Sequence, residues 1–116
     1  MNEIRLQTQF TFNKNNVSES INNTVSVTVT GNNMIHQTKA AATTDATLPL
    51  GAIATLGQCY FKNTDNTNNI LIGIDGTTYP IQLSPGEDAR CRINGSAIHF
   101  KSNAGTPLLE YLLAEA

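Results

Sequence analysis

The sequence predicts a single all-β domain over residues 1–116, an antiparallel β-sandwich with a jelly-roll-like connection and about eight short strands. Three observations lead there. Apolar and polar side chains alternate along most of the chain, a period of two and not 3.6. Turn signals recur every ~8–12 residues, the spacing of sandwiches and small barrels. Charged residues make up only 14% of the chain, and Asn, Thr, Ser and Gln take their place. Thr favours strands and Asn favours tight turns. At 116 residues the chain suits one domain and can bury about two-thirds of its unfolded surface without staples.

The first strand covers residues 4–12. Ile4, Leu6, Phe10 and Phe12 share one side, and Glu3, Arg5, Gln7, Gln9 and Thr11 the other. An Asn-rich loop is expected over residues 13–23. Residues 24–30 then alternate again, with Val25, Val27 and Val29 inward, and Gly31-Asn32-Asn33 makes a turn. Residues 34–39 can pair back as a hairpin arm. Residues 40–57 read as an irregular crossover with one short strand near residues 47–50, because Thr43, Thr44 and Thr47 do not support a helix and Pro49 extends Leu48.

Regularity returns at Gln58. Residues 58–62 form a strand, 63–68 a polar turn, and 69–74 a strand with Ile70, Ile72 and Ile74 aligned. Asp75-Gly76 is a hairpin turn, and residues 78–83 return. Pro80 lacks an N–H, so that strand belongs at an edge or turns this position away from its neighbour. Ser84-Pro85-Gly86-Glu87 has the pattern of a type II turn. Residues 88–93 place Ala89, Cys91 and Ile93 inward, with Arg90 and Arg92 outward. Asn94-Gly95 is the strongest hairpin signal in the chain, with residues 96–101 returning. Residues 106–115 are open to helix or strand, and Leu109, Tyr111 and Leu113 alternating with polar neighbours favour strand.

Little in the sequence suggests catalysis. His36 and His99 are the only histidines, and neither has metal-ligand spacing. His99 alternates out from Ile98 and Phe100, so it should face solvent or a neighbouring subunit. Glu87 and Asp88 point to opposite sides of an extended chain, which suits a solvated turn better than acid–base work. Asp65 and Asp75 lack any Ca²⁺-loop spacing. We therefore expect no catalytic residues, no cofactor and no metal. Cys59 and Cys91 are too few for a zinc site; buried free thiols are favoured over a disulfide between two strands.

The formal net charge is −2 and the few cations are scattered, against a nucleic-acid binder. No apolar run reaches the ~18 residues of a membrane span, and the start of the chain lacks a signal-peptide pattern. Three glycosylation sequons, at Asn16, Asn22 and Asn94, read as chance in so Asn- and Thr-rich a chain. Tyr60 falls out of phase with Cys59 and Phe61 and should be exposed. With Ile4, Leu6, Phe10 and Phe12 it makes the set of candidate assembly contacts. Residues 1–23 form the candidate contact arm and loop.

One resemblance adds to this. Cys59-Tyr60-Phe61-Lys62-Asn63-Thr64-Asp65, then Asn68-Asn69-Ile70-Leu71-Ile72-Gly73, the turn in Ile81-Gln82-Leu83-Ser84-Pro85-Gly86-Glu87, and the closing Leu108-Leu109-Glu110-Tyr111-Leu112-Leu113 resemble small structural proteins of tailed bacteriophages. The likeness covers about half the chain. It implies a virion component, a capsid decoration (cement) or small head or tail accessory protein. Such a protein is made in the host cytoplasm, forms homo-oligomers and contacts major capsid or tail proteins. A glycan- or receptor-binding β-sandwich module is the competing expectation, thinly supported because the chain has no Trp.

Overall fold

A computed structural model describes residues 2–116; Met1, the first residue of the expected arm, lies outside the described residues. The fold is all-β, every pairing is antiparallel, and no helix occurs among the described residues. The strands are β1 (Ile4–Lys14), β2 (Val17–Val27), β3 (Met34–Ala40), β4 (Ala46–Thr47), β5 (Leu56–Asn63), β6 (Ile70–Gly73), β7 (Ile81–Leu83), β8 (Asp88–Arg92), β9 (His99–Ser102) and β10 (Leu108–Glu115). Two compact units result, residues 2–30 and Gly31–Ala116.

The first unit is a hairpin of β1 and β2, in register from Ile4↔Val27 to Lys14↔Val17. The expected loop over residues 13–23 is therefore wrong. Only Asn15 and Asn16 turn, both at positive φ (52° and 66°), as a two-residue hairpin loop requires. Polar composition misled here, because Val17, Glu19 and Ile21 keep the period of two through the Asn and Ser residues. Backbone pairing does not demand burial.

The second unit holds two four-stranded sheets, ordered β3-β10-β5-β8 and β4-β9-β6-β7. Their apolar faces meet in one core. Cys59 and Phe61 of β5 and Leu109, Tyr111 and Leu113 of β10 join Ile70 and Ile72 of β6, Leu83 of β7 and Phe100 of β9. Phe61, Ile70, Leu109 and Leu113 are fully buried. Burying each such side chain contributes about 1.5–3 kcal/mol. Ala41, Leu48, Ile53 and Ile98, from the connections, close the core's rim.

Two pairing expectations fail for one reason: consecutive strands of the second unit mostly change sheet. Residues 34–39 do not fold back on β2; as β3 they pair with β10, His36 opposite Leu112. Asn94-Gly95 is not a hairpin, since β8 pairs with β5 and β9 with β4 and β6. Ile93 and Ile98 are both buried and carry the chain across the core. Among the described strands of the second unit only β6 and β7 make a local hairpin, and its loop is wider than two residues, with Ile72 opposite Ile81. Asp75 shapes that loop by accepting hydrogen bonds from the amides of Thr77 (3.0 Å) and Thr78 (2.8 Å). The short crossover strand lies at Ala46–Thr47, slightly ahead of its expected place.

Other expectations match the structure. β7 is an edge strand and begins just after Pro80. Glu87 N–H donates to the Ser84 carbonyl at 2.9 Å, with Gly86 at φ 82°, as a type II turn needs. The last segment is a strand, β10. Cys59 and Cys91 are opposed across β5 and β8 as free thiols, but only Cys59 is buried as expected; Cys91, near the end of the edge strand β8, is half-buried. Burial, and then the neighbouring Cys91, push the Cys59 thiol up to about 12.

Asn63, Ser102 and Glu115 are buried polar residues of the second unit, and two of them tie several segments together. Asn63, read beforehand as the start of a turn, is 0% exposed. Its Nδ2 donates to the carbonyls of Asn68 (2.8 Å) and Leu83 (3.0 Å), and its Oδ1 accepts from Asp65 N–H at 3.0 Å. Glu115 sits past a register shift in β10. Its carboxylate accepts from the amides of Ala54 (2.7 Å) and Asn32 (3.0 Å) and from Asn33 Nδ2 (3.1 Å). These bonds, that from Ala54 first, hold its carboxyl below the ordinary value. A Cβ at Gly31 would fall 2.4 Å from the Glu115 side chain, so any larger residue there would push that carboxylate out of its present place.

Candidate assembly surface

The hairpin sorts its side chains by strand alternation. One face carries Arg5, Gln7, Gln9, Thr11 and Asn13 of β1 with Ser18, Ser20, Asn22, Thr24 and Ser26 of β2. The other carries Ile4, Leu6, Phe10 and Phe12 of β1, and Val17, Ile21, Val25 and Val27 of β2. On the polar face Thr11 Oγ1 lies 3.4 Å from Ser20 Oγ across the strands. At the open end, Val29 N–H donates to Glu3 Oε1 (2.9 Å) and Thr28 Oγ1 to Asn2 Oδ1 (3.2 Å).

Thr8 and Asn23, opposite each other, split the apolar face into two parts. Near the open end Ile4, Leu6 and Val27 are half-buried. Near the turn Phe10 is 65% exposed, Ile21 62%, Val17 52% and Phe12 48%. Phe10 faces Ile21 directly across the strands. With Val25, these side chains expose on the order of 400–500 Å² of largely apolar surface, the range in which single patches are commonly functional. Glu19 stands on this same face, opposite Phe12 and between Val17 and Ile21, and Lys14 stands opposite Val17, so the patch carries two charged side chains. A two-stranded hairpin is at best marginally stable by itself, so an apolar face left in water gives it reason to seek a partner.

The five candidate contacts are thus not one cluster. Ile4, Leu6, Phe10 and Phe12 share the hairpin face, with the exposure concentrated in the last two. Val17 and Ile21 belong to the same patch and were missed, because their segment reads as loop by composition; their apolar character at alternate positions was the available signal. Tyr60 lies in the second unit and is half-buried, not free. It sits opposite Arg90, and its hydroxyl donates to Asp88 Oδ2 at 3.1 Å. Burial, then that carboxylate, raises its phenol.

Two other groups gather charge in the second unit. His36 Nε2 lies 2.8 Å from Glu110 Oε2, an exposed cross-strand pair of small energetic weight. His99, expected to face outward, is instead mostly covered, with Nδ1 2.9 Å from Asp45 Oδ2. Tyr79 donates its hydroxyl to the same Asp45 carboxylate, and Lys101 Nζ lies 4.6 Å from the centroid of the Tyr79 ring. The bonds from Tyr79, then His99, lower Asp45; the bond to Asp45 raises Tyr79 to about 12. At neutral pH the phenol therefore keeps its proton and the carboxylate its charge. The trio ties the crossover, β9 and the β6–β7 loop together. Asp45 and His99 are 54 residues apart, so nothing local in the sequence signals the pair.

Among the described residues, no three His, Cys, Asp or Glu side chains gather as metal ligands would, and no helix is long and apolar enough to cross a membrane. Comparison with known proteins finds no matching family model, no matching curated protein and no matching solved structure.

Proposed function

We propose that this protein is a non-enzymatic structural component of a tailed-phage particle, a capsid decoration or small head or tail accessory protein that works by protein–protein assembly. The observation that carries this reading is the exposed apolar patch of Phe10, Phe12, Val17 and Ile21 on a hairpin with no second layer of its own unit over it. The phage-like run of motifs in the second unit supports the same class.

The fold supports it too. We read the second unit as a jelly-roll sandwich, because the two sheets share one core and their strands interleave as β3-β10-β5-β8 and β4-β9-β6-β7. Jelly rolls recur in viral capsid proteins. They also recur in lectins, and this keeps the glycan- or receptor-binding module as the second reading. Tyr60 argues against that reading, since its hydroxyl is engaged by Asp88 and its ring is half-buried.

The genes beside this one provide the test. They should encode head or tail proteins, and the purified chain should cosediment with shells assembled from the neighbouring major capsid protein, or with purified tails. The double variant Phe10→Asp, Ile21→Asp should not. Failure of the unaltered chain to bind either would overturn the proposal, and clear signals on a glycan array would put the second reading in its place.

A further inference from the structure

We infer that Cys59 and Cys91 are a reversible dithiol–disulfide couple, which on oxidation latches the edge strand β8 to β5. The register carries it. Ile93 N–H donates to the Gly57 carbonyl (3.1 Å) and Asn63 N–H to the Glu87 carbonyl (2.9 Å), so both of these opposed pairs are of the hydrogen-bonded kind. Between them the β5–β8 pairing runs without a shift. Hydrogen-bonded pairs recur at every second position, which makes Cys59 and Cys91 one of them. Their side chains stand on the same face of the sheet, the one turned to the core, where Cys59 is 1% exposed. Cα atoms in such a pair are about 5.5 Å apart, a spacing common among disulfides.

The Cβ atoms fit less closely. Opposed strand residues hold them ~4.5–5.5 Å apart, with hydrogen-bonded pairs at the wide end, against about 3.8 Å in a disulfide. Closing the bond therefore draws the strands together by roughly 1 Å. β5 is fixed between β10 and β8, but β8 has no strand on its other side and can give way. A disulfide closed under strain is readily reduced again, the mark of a labile bond and not of a permanent staple.

The two thiols take different parts. Cys91 is half-buried and is the one a dissolved oxidant meets. Burial raises its thiol, and the charge of Arg90 works the other way. The oxidant is a small organic disulfide, of which glutathione disulfide is the probe. The Cys91 thiolate attacks one sulfur of the probe, breaks its S–S bond and expels a thiolate. The Cys59 sulfur then attacks Cys91 Sγ and expels the second thiolate, which takes up the Cys59 proton. Two protein thiols become one disulfide, and the probe becomes two thiols. Cys59 never has to meet solvent. Its scarcity of thiolate is offset by a fixed place beside the sulfur it attacks.

Mass spectrometry of the folded chain, quenched in acid at intervals after adding glutathione disulfide at mildly alkaline pH, tests the couple. The unaltered chain should gain one glutathione, lose it, and settle two hydrogens lighter than it began, with the bond mapped to Cys59 and Cys91. Dithiothreitol should restore both thiols. Cys59→Ala should stop at the glutathione adduct, and Cys91→Ala should not react. Should Cys59→Ala disturb the core, the order of species in the unaltered chain decides alone. A lasting adduct on Cys91 in that chain, two chains joined through Cys91, or a first adduct on Cys59 overturns the couple. The latch has its own readout. Ala89 and Cys91 direct their amides at β5, and their hydrogen exchange should slow about tenfold or more in the oxidised chain. Unchanged exchange there overturns the latch. None of these measurements involves capsid or tail binding, so the assembly reading stands or falls separately.

Discussion

The hairpin and the second unit obey one side-chain rule and reach opposite ends. In β1, Phe10 and Phe12 stand on the apolar side of an alternating strand, and both are about half exposed or more. In β5, Cys59 and Phe61 stand on the apolar side of an equally regular strand, and both are buried. Alternation determines which side of a strand is apolar. What covers that side depends on whether another sheet lies over it. β5 has β10 and β8 beside it and a second sheet across the core, whereas β1 has β2 alone.

The widest separation should come from one chemical change made in both places. Phe61→Ala should cost about 3–5 kcal/mol in urea-induced unfolding, through lost burial and the cavity left behind. Phe10→Ala, measured on dilute protein, should alter the same transition by no more than about 0.5 kcal/mol. Equal costs would erase the contrast.

Thiol chemistry sharpens it. With its thiol pushed up to about 12 against an ordinary 9.0, Cys59 carries about a thousandfold fewer thiolates than a free cysteine. A maleimide or disulfide reagent at mild alkaline pH should label Cys91 first and reach Cys59 only on unfolding. A cysteine placed on the hairpin as Ile21→Cys should react at the rate of a free thiol. Rapid labelling of Cys59 in the folded protein would show that the second unit opens readily.

Asn63 tests whether polar groups hold the core as firmly as apolar ones. Asn63→Ala leaves the carbonyls of Asn68 and Leu83 without their side-chain donor. The expected loss is about 2–3 kcal/mol, read from the urea midpoint. Substitution of Asn22, which lies on the hairpin's polar face, should leave that midpoint in place.

The smallest effect concerns acid. The folded Glu115 carboxyl titrates below its ordinary 4.5, so its contribution is present in full above that pH and fades as pH falls through the lowered value. Glu115→Gln should make the melting temperature of the second unit less steep below pH 4.5. Asp45 is lowered in the same direction, so some acid sensitivity should remain. An unchanged slope would mean that the carboxylate contributes nothing to the folded state.

The amount readable in the sequence follows from the range of the interaction involved. The strand segments around residues 58–62, 88–93 and 106–115, the Pro85-Gly86 turn and the edge position of β7 rest on nearest neighbours, and all could be read. The pairing of β3 with β10 and the separation of β8 from β9 rest on contacts between distant residues, and local hairpin signals such as Asn94-Gly95 pointed the wrong way. The phase of Phe10 and Phe12 placed them on one side of their strand but did not tell that this side is exposed near the turn. Val17 and Ile21 were hidden by the Asn and Ser residues around them, and the Asp45–His99–Tyr79 trio had no local trace.

The register of β3 has a consequence for the order of folding. Met34 pairs with Ala114, and Ala40 with Leu108, so β3 must wait for more than 60 further residues to be made before its partner strand exists. The β1–β2 pairing closes over a two-residue loop and needs only residues 4–27. Hairpins form in about 1–10 μs, while sheets built from distant partners take milliseconds to seconds. The hairpin and its apolar stripe can therefore form well before the partners of the core strands are all present.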